Sequence, residues 1–296
     1  MTNSLLDLAA KRIALLDGGF GTELIRRGFP QGACPEAWNV ERPDVVQAIH
    51  LSYFDAGSDA VEANSFGGSP IKLAAHGLEK RCFELNKAAV EAANAVKPAG
   101  RFVGGSIGPT GKFLKPQGPF TETEFEEAFA EQVKGLADGQ PDFLIIETQY
   151  DLREALCALR AARRVSSLPV FVTMTFNHVP RGFFTLMGNS VAACLEALEE
   201  EDAAAVGSNC TLDSGEMAAL VKEMRPLTSL PIIAQANAGK PSLAEDGRVV
   251  YSQGVDDYVR HVPEMAANGA TMIGGCCGTA PEYIRRMAEI LRKIET

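Results

Sequence analysis

Two cysteines stand side by side between glycines in Gly274-Gly275-Cys276-Cys277-Gly278-Thr279, just after the apolar run 270–273 and just before a helix start. Neighbouring side chains on a strand point to opposite faces, so both thiols reach one point only where the strand ends and the backbone bends. The flanking glycines permit that bend. A third cysteine, Cys210, closes another apolar run, 203–210. Three thiolates converging on one point supply three corners of a tetrahedral Zn2+ site and leave the fourth for water or substrate. The competing readings are a vicinal disulfide or a tight turn of small residues for the pair, and a core thiol for Cys210 taken alone. Its place at a strand end, alongside the pair, is what sets Cys210 apart.

The elements that would position these thiols recur along the chain. Short apolar runs at 13–19, 60–66, 102–109, 143–149, 169–176, 203–210, 231–239 and 270–276 are each followed by a helical pattern. Thr121 with Glu124, and Asp151 with Glu154, have the spacing of helix N-terminal caps. Runs that are continuously apolar, rather than alternating, indicate parallel strands buried on both faces. Eight such units in one chain predict an α/β fold, a (β/α)8 TIM barrel forming a single domain over residues 1–296. No G-x-G-x-x-G follows the first strand, which disfavours an open doubly wound sheet. In such barrels the working residues lie at the C-terminal strand ends. Asp17, Asn64, Glu147, Asn209, Cys210, Asn237, Cys276 and Cys277 fall there. Singly, Asp17 and Glu147 also read as helix caps or surface carboxylates, and Asn237 as a turn former before Gly239. His50, His76, His178 and His261 have no metal-ligand pattern. The Gly/Pro-rich stretch 111–119 is long enough for a lid or a site wall, and a polar loop with Asp246-Gly247 precedes the helix near 255–267.

Composition narrows the function classes. With 46% hydrophobic and 22% charged residues the chain can build a full core and is not disordered. A net charge of −10 with no basic block argues against a nucleic-acid partner. No apolar run approaches the ~20 residues that cross a bilayer, so no membrane partner is expected. Residues 1–8 lack a basic region followed by an apolar core, so no secretory signal is expected. Seven cysteines without disulfide-framework spacing fit a cytoplasmic protein. Cys34, Cys82, Cys157 and Cys194 then read as reduced thiols, three of them packed in helices.

The combination of residues 16–23 (Leu-Asp-Gly-Gly-Phe-Gly-Thr-Glu), Asn209-Cys210, Asn237-Ala-Gly-Lys-Pro241 and Gly274–Thr279 resembles the homocysteine S-methyltransferase family from about residue 15 to 291. Within that family it is most similar to the homocysteine-binding barrels of cobalamin-dependent methionine synthases. Pro43-Asp-Val-Val, Gly57-Ser-Asp and Gly108-Pro-Thr-Gly111 carry that closer likeness. The resemblance implies a zinc-dependent methyltransferase that converts homocysteine to methionine. Cys210, Cys276 and Cys277 would be the catalytic zinc ligands, with Asn237 a provisional ligand before substrate arrives. Asp17 and Glu147 would hold the amino end of homocysteine and nearby backbone amides its carboxylate, with Gly18, Ser106 and Asn209 completing the substrate site. The folate, cobalamin and reactivation domains of those enzymes have no counterpart in the sequence. The donor is therefore expected to be a separate methyl-corrinoid protein or a small molecule such as S-methylmethionine, S-adenosylmethionine or a betaine. One departure stands out: where the resemblance implies an acidic residue in the third strand, the chain has Gly105-Ser106. Trp38 fits either a cation–π contact to a cationic donor or a packing role. Two rival classes are a non-catalytic zinc- or thiol-binding barrel and a zinc hydrolase. The hydrolase is disfavoured because three thiolates make zinc a weak Lewis acid and no His or Glu-x-x-His set is present.

Overall fold

The computed structural model describes residues 4–244 and 249–294. Eight strands carry the architecture: β1 (Ala14–Leu15), β2 (Ala60–Glu62), β3 (Phe102–Ile107), β4 (Phe143–Gln149), β5 (Val170–Met174), β6 (Ala205–Asn209), β7 (Ile232–Ala236) and β8 (Met272–Gly275). They pair in the order β1-β8-β7-β6-β5-β4-β3-β2, parallel throughout. The two ends of that order are joined where the Asp59 amide donates to the Leu15 carbonyl at 2.6 Å. The Glu62 amide adds a bond to Asp17 Oδ2 at 3.0 Å. This is the (β/α)8 barrel that the apolar runs predict.

Side-chain alternation divides the core in two. Leu16, Phe102, Phe143, Ile145, Phe171, Ala205, Ile233 and Met272 pack together inside the barrel, with Leu5 and Ala9 of the short helix Leu5–Ala9 against them. Val61, Val103, Leu144, Ile146, Val172, Val206 and Ile273 face outward into the shell of helices. Period 2 produces this split. Inside, Phe143 and Phe171 stack with centroids 4.8 Å apart. A methyl at Gly104 would lie 2.4 Å from the Phe143 ring, so glycine is what leaves room for it.

Strand ends differ from the apolar runs in instructive ways. β2 stops at Glu62, and Asn64 lies beyond it, donating at 2.8 Å to the Pro35 carbonyl and to Asn39 Oδ1. β8 stops at Gly275, so both adjacent cysteines occupy the turn. Two antiparallel hairpins were not foreseen: Phe176–Val179 with Gly182–Thr185, and Pro241–Leu243 with Val249–Tyr251. The second sits where the polar loop was expected; Asp246 and Gly247 lie outside the described residues. The capping box of Thr121 and Glu124 opens the helix Glu122–Asp138. Cys82, Cys157 and Cys194 are buried on helices, and all seven cysteines are free thiols. Among the described residues no helix is long and apolar enough to cross a membrane.

Candidate active site

Alternation carries polar side chains into the barrel mouth. On β4, Phe143 and Ile145 point inward, so Glu147 does as well. The same count from Ala60 places Glu62 inside, from Ile233 it places Gln235, and from Ala205 it places Asn209. From Met272 it reaches Cys276 one residue past β8. The mouth is thus the polar top layer of an otherwise apolar interior.

The Cys210, Cys276 and Cys277 sulfurs lie within 4.8 Å of one another, with Cys210 and Cys277 3.9 Å apart. Sulfurs at two corners of a tetrahedron around zinc, each about 2.3 Å from it, are about 3.8 Å apart. The backbone is shaped for this convergence. Cys210 and Thr211 both adopt left-handed conformations, φ 64° and 60°, just past the end of β6. The cysteine turn is stitched to its neighbours: the Gly275 amide donates to the Asp17 carbonyl and the Cys276 amide to that of Ala236, both at 2.8 Å. Thr279 Oγ1 donates to the Cys276 carbonyl at 2.7 Å and accepts from the Gly19 amide at 3.1 Å. Gly278 has φ 83°, and a methyl on it would meet the Tyr251 ring at 2.4 Å. Only glycine serves there.

Hydrogen bonding within the cluster sets the three thiols apart. Hydrogen bonds from Cys276 and Cys277, helped by the Asn237 side chain, bring Cys210 down to about 3. Donating to that sulfur pushes Cys277 up to about 12 and Cys276 well above the ordinary thiol range. A divalent cation would replace the remaining protons. Asn237 Oδ1 is buried with no partner, although the side chain reaches Cys210. The sulfur spacing and this orphaned oxygen beside it fit a metal centre.

The sulfurs line a cavity of about 380 Å³ together with Asp17, Glu36, Glu62 and Glu147, and with Gly18, Ser106 and Gln235. Among the described residues no lysine, arginine or histidine lines it. Burial first, then repulsion from Glu147, holds Asp17 well above the usual carboxylate range; Glu62 is raised by burial and by both neighbours. Burial raises Glu147 too, against the hydrogen bonds that support its charge. Ser106 Oγ donates to Glu147 Oε1 at 2.5 Å and Asn209 Nδ2 to Oε2 at 3.1 Å. Asn209 stands behind the wall, its amide also 3.8 Å from the Cys276 sulfur and its Oδ1 accepting from Thr173 Oγ1 at 2.9 Å. It links the carboxylates to the thiols.

Of the residues expected at this rim, Asp17, Gly18, Ser106, Glu147, Cys210, Cys276 and Cys277 line the cavity, while Asn209 and Asn237 are outside its lining. Sequence reasoning passed over Glu62, Gln235 and Tyr251. Counting in twos from Ala60 would have found Glu62; the apolar run through Ala63 hid it. Ser106 brings no charge to β3, and the third carboxylate of the site arrives from β2 instead. Trp38 is outside the wall, packed edge-on against Phe29 at 4.9 Å and under Arg42 at 5.5 Å. The stretch 111–119 is outside it as well; the adjoining Thr110 is pinned by its amide and hydroxyl to Glu154 Oε1, both at 2.7 Å. The four histidines are not in the wall.

A family model described as homocysteine S-methyltransferase matches residues 14–291, from the first strand into the last helix. The chain belongs to the homocysteine S-methyltransferase family. Curated proteins that match include the methionine synthases of Mycobacterium tuberculosis (strain ATCC 25618 / H37Rv) and Mycobacterium leprae (strain TN), each 31% identical over 98% and 96% of this chain. The matches cover 26% and 25% of those proteins, so the chain spans about a quarter of the length of these relatives. Among solved structures, the metallated form of the Escherichia coli homocysteine methyltransferase MmuM superposes with a TM-score of 0.80 at 24% identity. That match covers 96% of this chain and 98% of the other, and it establishes the shared fold.

Proposed function

We propose that this homocysteine S-methyltransferase family member is a zinc-dependent enzyme that moves a methyl group onto the thiol of homocysteine to give methionine. It works as one homocysteine-binding barrel domain over residues 1–296, in the cytoplasm, where its seven free thiols would stay reduced. One observation carries the reading: three clustered cysteine sulfurs and the carboxylates of Asp17, Glu62 and Glu147 line one cavity that, among the described residues, has no cationic side chain. A small molecule with a thiol at one end and an ammonium at the other matches both walls. The 31% identity to methionine synthases supports the same substrate.

The acceptor thiol must lose its proton before it attacks, because the thiolate is the nucleophile and a free thiol titrates near about 8.5. Cys210, Cys276 and Cys277 would hold Zn2+, with Asn237 as a provisional further ligand. Bound there, zinc supplies Lewis acidity that lowers the pKa of the acceptor thiol, while the three thiolates keep its sulfur electron-rich. Asp17 and Glu147 take the ammonium, with Gly18 beside them, and Ser106 and Asn209 hold Glu147 by its two oxygens. A bond forms from the acceptor sulfur to the methyl carbon. The bond from that carbon to the donor breaks, its electron pair leaves with the donor, and the thiol proton passes to solvent. The thioether product is a weaker zinc ligand than the thiolate, which favours release.

The donor in this reading is a methyl-corrinoid protein acting in trans, on the likeness to methionine synthases. A self-sufficient enzyme using S-methylmethionine, S-adenosylmethionine or a betaine is the second reading, and the cavity wall favours it. Phe20, Phe66 and Tyr251 line that wall together with buried Glu36, surroundings suited to a small cation. The test is the zinc content of reduced protein, followed by methionine formation from homocysteine with each donor in turn. Stoichiometric zinc with turnover from methylcobalamin alone supports the corrinoid reading. Turnover with a sulfonium or betaine transfers support to the second. Absence of zinc, with no methionine from any donor, sinks the methyltransferase reading.

A further inference from the structure

The mouth holds a pair that the mechanism above leaves unused. Glu62, at the end of β2, and Gln235, on β7, are 173 residues apart and joined by a hydrogen bond from Gln235 Nε2 to Glu62 Oε1 at 2.9 Å. Both face the cavity. Gln235 is 2% exposed, and its Oε1 is buried without a partner. A buried carbonyl oxygen with no donor is rare enough to need an explanation.

The missing donor has a definable chemistry. The site offers carboxylate oxygens on Asp17, Glu36, Glu62 and Glu147 and the unpartnered carbonyl of Gln235, and among the described residues no cationic side chain lines it. An alkylammonium has three N–H donors and no acceptor, so each of its donors finds a partner in such a set and it adds no acceptor of its own. A hydroxyl or a neutral amide would bring an acceptor of its own into a wall crowded with acceptors. The Gln235 amide nitrogen holds Glu62 in place, and its carbonyl oxygen, buried beside the cavity, is left without a donor.

We propose that Glu62 and Gln235 are specificity-determining residues that read the α-ammonium of the thiol acceptor and restrict the enzyme to α-amino thiols. The inference rests on the reading of homocysteine as acceptor and names the residues that select it. It is tested by calorimetric binding of homocysteine and of 4-mercaptobutanoate, the same thiol acid without the ammonium, to the metal-loaded protein. For the wild-type chain, homocysteine binds more tightly. In Glu62→Gln, homocysteine affinity falls about ten- to a hundredfold, the scale of a lost charge-assisted hydrogen bond, while 4-mercaptobutanoate binding stays within about twofold. Gln235→Leu, which keeps the carboxylate, gives a smaller loss in the same direction and serves as the test if Glu62→Gln does not fold. Equal weakening of both ligands assigns the pair a structural role and overturns the proposal, as does an unchanged preference for homocysteine. Selective binding that Glu62→Gln abolishes, with no methyl transfer from any donor, supports this assignment and sinks the activity reading alone.

Discussion

Asp59 and Glu62 are three residues apart, one just before β2 and one at its end, and their surroundings are opposite. Asp59 is gripped by both terminal nitrogens of Arg12 at 2.7 Å, by Arg101, and by the Leu15 amide at 2.9 Å. It ties β1 to β2 and to the stretch before β3 at the N-terminal end of the barrel. Glu62 has one amide from Gln235 and two other carboxylates for neighbours. The first arrangement closes the barrel; the second stores unbalanced charge that a cationic ligand would relieve. One strand thus carries a stabilising carboxylate at its lower end and a recognition carboxylate at its upper end, the division expected of the two faces of such barrels.

Three substitutions would break or sharpen this contrast. Cys210→Ala should have the largest effect: loss of bound metal and a fall in methionine formation of more than roughly 100-fold, with far-UV circular dichroism unchanged, since only the mouth is altered. Full zinc and full turnover in that variant would show that the metal is held elsewhere. Asp59→Asn should leave zinc content and homocysteine affinity alone and cost about 2–4 kcal/mol in urea denaturation. That is shifted down from the ~3–5 kcal/mol of a fully buried pair, because Arg12 and Arg101 are about a third exposed. A Km or metal-binding defect instead would mean that the two ends are coupled.

The smallest effect has the opposite sign. The folded-state pKa of Glu62 is raised well above that of the unfolded chain. The folded state therefore binds more protons than the unfolded one between those two values, and stability falls as pH rises through that window. Glu62→Gln removes this penalty. It should leave stability near wild type at pH 4 and increase it at pH 8. Denaturation of the metal-free protein at both pH values measures this directly. A pH-independent loss of stability would put Glu62 in the same class as Asp59.

Much of the site was legible in the residue order. Glycines around Cys276-Cys277 mark a turn that two adjacent thiols need, and continuous apolar runs mark parallel strands whose ends meet at one rim. Asp17, Glu147 and Cys210 were readable because each terminates such a run. Glu62 was not, because it lies within a run that continues through Ala63, and only the register of β2 against β3 shows where the strand stops. Asn64 does reach the cavity wall, where its side chain fastens the loop at Pro35 and Asn39.

What the sequence determined by itself is therefore whatever depends on local order: the eight strand–helix units, the cysteine turn, and the helix caps at Thr121 and Asp151. Tertiary structure decided everything that depends on which side chains meet. Glu62 finds Gln235 across 173 residues, Asn209 spans the gap between Glu147 and the Cys276 sulfur, and among the described residues no cation enters the cavity wall. The physical reason is that burial and pairing set the energy of a charge, and both are properties of the closed barrel, with nothing in the local chain to report them.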